Sequence, residues 1–429
     1  MKRVPPGRRG RGGCVAALGI VLLLHLAPPA AGQVVFTLPQ AVAFALEHNP
    51  QVAANRAAVK AAEAQVRAAQ AGLAPTLSLS AGGSLGGAGG SVSTSGQVST
   101  GVTYLLYDGG VRQAQVRQAQ AQLEAARQAL AAALAEVALQ TVQAYMAVIV
   151  AQQVVALREQ AVRQARTQLQ AAQANFRAGR VARADVVRAE SALAASEFDE
   201  VSARGQAEIS RSALRTVMGL DGGSPVTVTA PGEPPPLEVS ETEAAQRALQ
   251  RPEVQRAEAE VRAAEAALAI AMMQGGVTVT LDGRYVLVST AGSGTGAAGA
   301  WSVGVGVAVP LHDGGRRAAQ IEAARAGLET SRARLESVRF QVWQEALLAR
   351  LQVATAAAKL EAARRSATAA REAFNVAQGR YAAGVGTIVE VVTAQTDLAA
   401  AEVALAQAAA DRWTTTAALR RAVALPVLP

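Results

Sequence analysis

The chain has 429 residues, of which 51% are hydrophobic, 17% charged and only 3% aromatic, and its formal net charge is +8. So few aromatics argue against a conventional large globular core, while abundant alanine favours long helices packed through small side chains. Lys2, Arg3, Arg8, Arg9 and Arg11 carry five of the charges; without them 36 basic residues face 33 acidic ones, too even a balance for a nucleic-acid-binding surface.

Residues 1–32 read as a secretory signal peptide. A basic segment precedes an apolar run from Cys14 to Leu26, and Ala30-Ala31-Gly32 offers a small-residue cleavage site before Gln33. The run has about 13 residues, short of the roughly 20 that a spanning helix needs. Cleavage would remove the single cysteine and with it any disulfide, thiol nucleophile or thiolate ligand. No second segment reads as a transmembrane helix, so the exported chain is either soluble or enters a membrane as strands.

The rest of the chain repeats itself. Asn49-Pro50-Gln51-Val52 answers Arg251-Pro252-Glu253-Val254 at an offset of 202, and Leu106-Tyr107-Asp108-Gly109-Gly110 answers Leu311-His312-Asp313-Gly314-Gly315 at 205. Phe176 and Gly179 pair with Tyr381 and Gly384 at the same 205. A duplication follows, with a first repeat over 33–224, a Pro-rich linker over 225–240 and a second repeat over 241–429.

Each copy reads in the same order. A short helix (39–48; 241–250) ends at a proline that starts the next helix, which runs to Gly72 or Gln274. Two strands form a hairpin, over 76–107 in the first copy and 277–311 in the second, with Gly/Ser-rich tips expected at 82–91 and 292–299. A very long helix follows, free of glycine and proline from Val111 to Ala178 and from Leu328 to Gln378. Turns at 176–182 and 381–387 reverse the chain into a return helix ending near Met218 or Leu425. The first long helix would reach roughly 100 Å, and the two shorter helices of its copy, laid end to end, would nearly match it.

The strands carry the functional signal. From Trp301, one face reads Trp301, Val303, Val305, Val307, Val309 and Leu311, and the other reads Ser302, Gly304, Gly306, Ala308 and Pro310. That alternation has the length of a membrane-crossing β-strand, although a soluble sandwich strand alternates in the same way. Val98, Val102, Tyr104 and Leu106 repeat it more weakly. Four strands cannot close a barrel in lipid, so several chains would have to share one: two give eight strands and three give twelve. A pore-free periplasmic coiled-coil scaffold explains the helices but leaves the duplicated hairpins without a purpose.

The tandem helix–hairpin–long-helix repeat and the two matched Asp-Gly-Gly turns resemble the TolC-type outer-membrane efflux protein family, over Phe36 to Leu425. The resemblance implies an α+β membrane protein: a tandem-repeat protomer of long antiparallel helices and two hairpins. Three copies would form a 12-stranded outer-membrane β-barrel continuous with a periplasmic α-helical barrel. It implies outer-membrane lipid as surroundings, a periplasmic adaptor protein and an inner-membrane pump as partners, and no nucleic acid, cofactor, metal or catalysis. By the same resemblance, Phe176, Gly179, Gly384 and Gly386 lie in the tip turns that the adaptor grips. Glu390 and Thr393 take the positions that line the closed aperture, and Asp185 and Tyr381 take positions that latch the tip. Gly386 stands where the family usually has an arginine, and Thr393 where it often has an acid. Without the resemblance, Asp185 and Glu390 read simply as acids favouring the first turn of a helix.

Enzyme motifs do not survive. His48 and His312 are too few for a His-rich metal site; His312-Asp313 is adjacent turn chemistry. Gly294, Gly296 and Gly299 spell GxGxxG but lead into a strand instead of a helix.

Overall fold

A computed structural model describes residues 34–88, 91–291 and 296–428; the signal-peptide segment lies outside them. Fourteen elements follow one another in this described chain: β1 (Val34–Phe36), α1 (Leu38–His48), α2 (Pro50–Ala71), β2 (Thr76–Ala88), β3 (Ser91–Tyr107), α3 (Val111–Arg177), α4 (Arg183–Met218), β4 (Val226–Val228), α5 (Glu241–Ala248), α6 (Pro252–Met273), β5 (Thr278–Ala291), β6 (Gly296–Ala308), α7 (Arg316–Ala382) and α8 (Ile388–Ala422). From α1 to α4 the order matches that from α5 to α8.

Both long helices have 67 residues, or roughly 100 Å each. α7 passes straight through Gly327 and Gly379, the glycines that bound its glycine-free stretch, and ends at the reversal expected at 381–387. One glycine costs a helix about 1 kcal/mol, which packing along its length outweighs.

The helices form a layer. α3 packs along α2 and α4 on one side and along α6 and α8 on the other, and α7 packs against α6 and α8. The layer therefore begins with α2 and α4, end to end, and finishes with α7. Asn49, the N-cap of α2, accepts from Gln51 N at 2.7 Å and donates through Nδ2 to Val217 O at 2.7 Å, which welds the start of α2 to the end of α4. In the second copy Arg251 takes the place of Asn49 and the weld is ionic. Its side chain, 3% exposed, reaches Glu253 at 2.7 Å and Glu345 at 2.6 Å, and Arg421 near the end of α8 bridges Glu253 at 3.2 Å and Glu136 at 3.0 Å. Burial pushes the Glu253 carboxyl up, but the Arg251 and Arg421 charges outweigh it and hold it below the usual carboxylate range.

The four long strands form one antiparallel sheet in the order β2-β3-β5-β6. Strand pairing extends into the expected Gly/Ser tips, of which 89–90 and 292–295 lie outside the described residues: Gly82 registers with Gln97 and Gly87 with Val92, and β6 begins at Gly296. Backbone pairing needs no particular side chain, so the Gly/Ser composition did not end the strands. A register shift between Leu105 and Tyr107 breaks the alternation that sequence assigned to Tyr104 and Leu106. All of β6 is exposed, with Trp301 at 78% and Val303, Val305 and Val307 above 60%.

Midway along the helices, a hydrophobic core gathers Leu38, Ala41 and Ala45 of α1, Val137, Val142 and Val148 of α3, Leu214 of α4 and Val226 of β4. Contrary to the sequence reading, a stretch of α3 with mean hydropathy 1.5 is apolar enough by composition to cross a bilayer, but 56% of it is buried among the other elements, as in a core helix. The Pro-rich linker is fastened here instead of hanging free. β4 pairs in parallel with β1, the Tyr145 hydroxyl lies 2.9 Å from Phe36 O and 2.6 Å from Thr229 O, and Trp413 Nε1 donates to Gly232 O at 2.7 Å.

Candidate functional site

At the free ends of the long helices, the two reversals share one hydrogen-bond pattern. Gly179 N donates to Phe176 O and Arg180 N to Asn175 O, both at 2.9 Å; Gly384 N donates to Tyr381 O at 3.1 Å and Val385 N to Arg380 O at 3.0 Å. Gly179 (φ +69°) and Gly384 (φ +78°) hold the left-handed position that closes such a helix end. No atom lies within 4 Å of where a Cβ would stand on either, so both turns project freely. Phe176 is 44% exposed beside the first of them.

The second reversal leads into α8 through Thr387, whose hydroxyl accepts from Glu390 N at 3.3 Å and lies 3.4 Å from Glu390 Oε1. Glu390 is thus a first-turn capping acid, and it also lies 3.8 Å from Arg380. Gly386 allows that approach: its N–H donates to Arg380 O at 3.1 Å, and a Cβ there would stand 3.0 Å from both Arg380 Cβ and Tyr381 N. Thr393 is exposed one turn further along α8.

Asp185 and Tyr381 are not brought together within the chain. Asp185 sits in the first turn of α4, 3.9 Å from Arg188. Tyr381 packs against Phe374, Ala377, Val391 and Leu398, and its buried hydroxyl has no hydrogen-bond partner among the described residues.

At the opposite ends of the long helices, the Asp-Gly-Gly turns join sheet to helix. Asp108 Oδ1 accepts from Gly110 N at 3.0 Å, and its Oδ2 accepts from both Arg112 N and Arg112 Nε at 2.9 Å. Arg112 continues to Gly72 O at 3.2 Å and Leu105 O at 2.5 Å, tying the end of α2 and the end of β3 to the start of α3. Asp313 repeats the turn with Gly315 N at 3.0 Å and Arg317 N at 2.8 Å, and Arg317 reaches Met272 O at 2.6 Å. Burial pushes the Asp108 carboxyl up; the Arg112 and Gly110 N–H groups and the Arg112 guanidinium more than offset this and hold it below its usual range. The arginines were missed in the sequence, although Asp-Gly-Gly-x-Arg recurs in both copies.

A sheet with a bare apolar face, continued by a layer of roughly 100 Å helices, defines a protomer of a membrane-embedded duct. Residues 42–220 and 244–425 match the family described as outer membrane efflux protein, and the chain belongs to that family. It is similar to protein CyaE of Bordetella pertussis, at 32% identity over 397 residues, covering 86% of this chain and 80% of that one. It is also similar to outer membrane efflux protein BepC of Brucella suis, at 29% over 392 residues, covering 87% and 82%. The fold matches the crystal structure of the Campylobacter jejuni CmeC outer membrane channel with a TM-score of 0.79, at 17% identity over 90% of this chain and 85% of that one. The protein is therefore an exit duct for efflux or secretion, set in the outer membrane and reaching into the periplasm. Members of the family are transport channels, which work with an adaptor and an inner-membrane pump.

Proposed function

We propose that three copies close into one duct, sharing a 12-stranded barrel bathed in outer-membrane lipid and a tube of helices below it. The observation that carries this reading is that sheet and helical layer are open on the same two flanks. β2 is a sheet edge and follows α2, at one margin of the helical layer; β6 is the other edge and precedes α7, at the opposite margin. Both margins carry bare apolar side chains: Val187, Phe198, Val201 and Ile209 on α4, and Phe340, Trp343 and Leu351 on α7. Unlike flanks that complement one another build a ring by head-to-tail contacts, and edges are not tolerated open in lipid.

In this reading the tip turns around Phe176, Gly179, Gly384 and Gly386 receive the periplasmic adaptor, and α8 from Glu390 through Thr393 lines the entrance. Asp185 and Tyr381 hold the tip across helices. The duct conducts passively and without catalysis, drawing its energy from the inner-membrane pump. Native mass of the protein extracted from the outer-membrane fraction tests the assembly. Three chains per particle are expected; two chains, or a single chain in the soluble fraction, would overturn it.

A further inference from the structure

We propose that Asp397, rather than Glu390, sets the charge preference of the duct entrance. This rests on the reading that the exposed face of α8 lines that entrance. Residues 390, 393 and 397 fall on that face: seven residues are nearly two full turns, so Asp397 stands within about 20° of Glu390 and roughly 10 Å further along the helix.

The two acids differ in their surroundings. Glu390 has Arg380 at 3.8 Å and is bound into the Thr387 cap. The pair is built into the reversal: Gly386, with no side chain to hold the strand of the turn away, lets it fold onto Arg380, whose carbonyl accepts from Val385 N and Gly386 N. A carboxylate with a guanidinium beside it projects little net charge into the water around it. Further along α8 the next acid, Glu402, is likewise matched, at 2.5 Å from Arg371. Asp397 lies between them, exposed, with no ion-pair or hydrogen-bond partner among the described residues. Thr393, one turn before it, contributes no charge. Three symmetry-related Asp397 carboxylates would form an uncompensated anionic ring set back from the tip.

The test is the ratio of potassium to chloride permeability, read from reversal potentials of assembled trimers in neutral-lipid bilayers under a potassium chloride gradient. Asp397→Asn, Glu390→Gln, Arg380→Gln and the double variant Arg380→Gln/Glu390→Gln are near-isosteric changes at partly or fully exposed positions, and native mass verifies that each still assembles. The expected result is that Asp397→Asn lowers the ratio by roughly threefold or more, in the wild-type and double-variant backgrounds alike. Arg380→Gln alone raises it, Glu390→Gln alone lowers it, and deleting both partners leaves it at the wild-type value. An unchanged ratio in Asp397→Asn, or a double variant that falls as far as Glu390→Gln, overturns the assignment while leaving α8 at the entrance. If no variant shifts the ratio in a conducting trimer, α8 does not line the entrance and the inference falls with that reading.

Discussion

One carboxylate oxygen of Asp108 holds Arg112 twice, through its backbone N–H and through Nε, both at 2.9 Å. The same aspartate caps the first turn of α3 while its arginine fastens α2 and β3, so one pair fixes the angle at which sheet meets tube. The side chains are 8% and 14% exposed, whereas the equivalent Asp313 is exposed. Arg112→Ala should therefore cost about 1.5–3 kcal/mol, the range for a hydrogen bond to a charged group, and Arg317→Ala less. Denaturant midpoints of the two variants, followed by circular dichroism, check the order. Equal losses would show that burial of the first junction adds nothing.

The ionic weld in the second copy predicts an acid response. Glu253 has a folded-state pKa below its ordinary value, so its contribution is present in full above the usual carboxylate range and is lost as pH falls through the lowered value. Glu253→Gln should flatten the acid limb of a stability-versus-pH profile. Asn49, in the equivalent place, is neutral, so Asn49→Ala should lower stability without altering that limb. An Asn49→Ala profile flattened as strongly would contradict the assignment.

Arg251→Ala should be far more damaging than its distance from any transport path suggests. It would leave Glu253 with Arg421 alone and Glu345 with only Gln341 beside it. Because both carboxylates are partly exposed, the loss falls below the roughly 3–5 kcal/mol of a fully buried broken pair but well above that of a surface bridge. Thermal unfolding would read it; Glu345→Gln, which leaves the Arg251–Glu253 bond in place, should cost much less.

The tip glycines separate strain from contact. A side chain at Gly179 or Gly384 meets no atom, so its cost is the left-handed backbone, on the order of 1–2 kcal/mol for a bulky residue and less for asparagine. Gly179→Val with Gly384→Val should assemble normally yet bind the adaptor weakly in pull-down, and the Asn pair should bind better than the Val pair. Intact adaptor binding by the Val pair would remove the turns from the docking surface.

The apolar face of β6, if it meets lipid as proposed, predicts where charge is not tolerated. Val305→Arg should reduce insertion into the outer membrane, with a cost of about 2–4 kcal/mol at mid-depth in lipid. Ser302→Arg, on the opposite face, should be milder. Membrane fractionation distinguishes them, and equal insertion would argue that this face does not meet lipid.

The repeat, the helix order and both reversals were legible because they depend on local signals. Glycines at 179 and 384, prolines at 50 and 252 and unbroken alanine-rich runs act through their own backbone. Residues whose role depends on a distant partner were not legible. Nothing near Arg251 in sequence announces Glu345, and Arg112 acquires meaning only once Gly72 and Leu105 converge on it. Glu390 was singled out through the family resemblance, but its bridge to Arg380 depends on how tightly the chain folds over Gly386. Strand length was misjudged at the hairpin tips for the opposite reason: pairing there is carried by backbone, and side-chain composition misled.

The parallel clasp between β1 and β4 has a bearing on how the chain is made. β1 is the first element of the described chain to leave the ribosome, and the whole first repeat must follow before Val226 exists to pair with Val34. Until then the Tyr145 hydroxyl, deep in α3, has no Thr229 to bond. The waist therefore closes only on a chain whose first half is complete and whose second half has begun. A chain truncated within the first repeat is left with its leading strand unpaired.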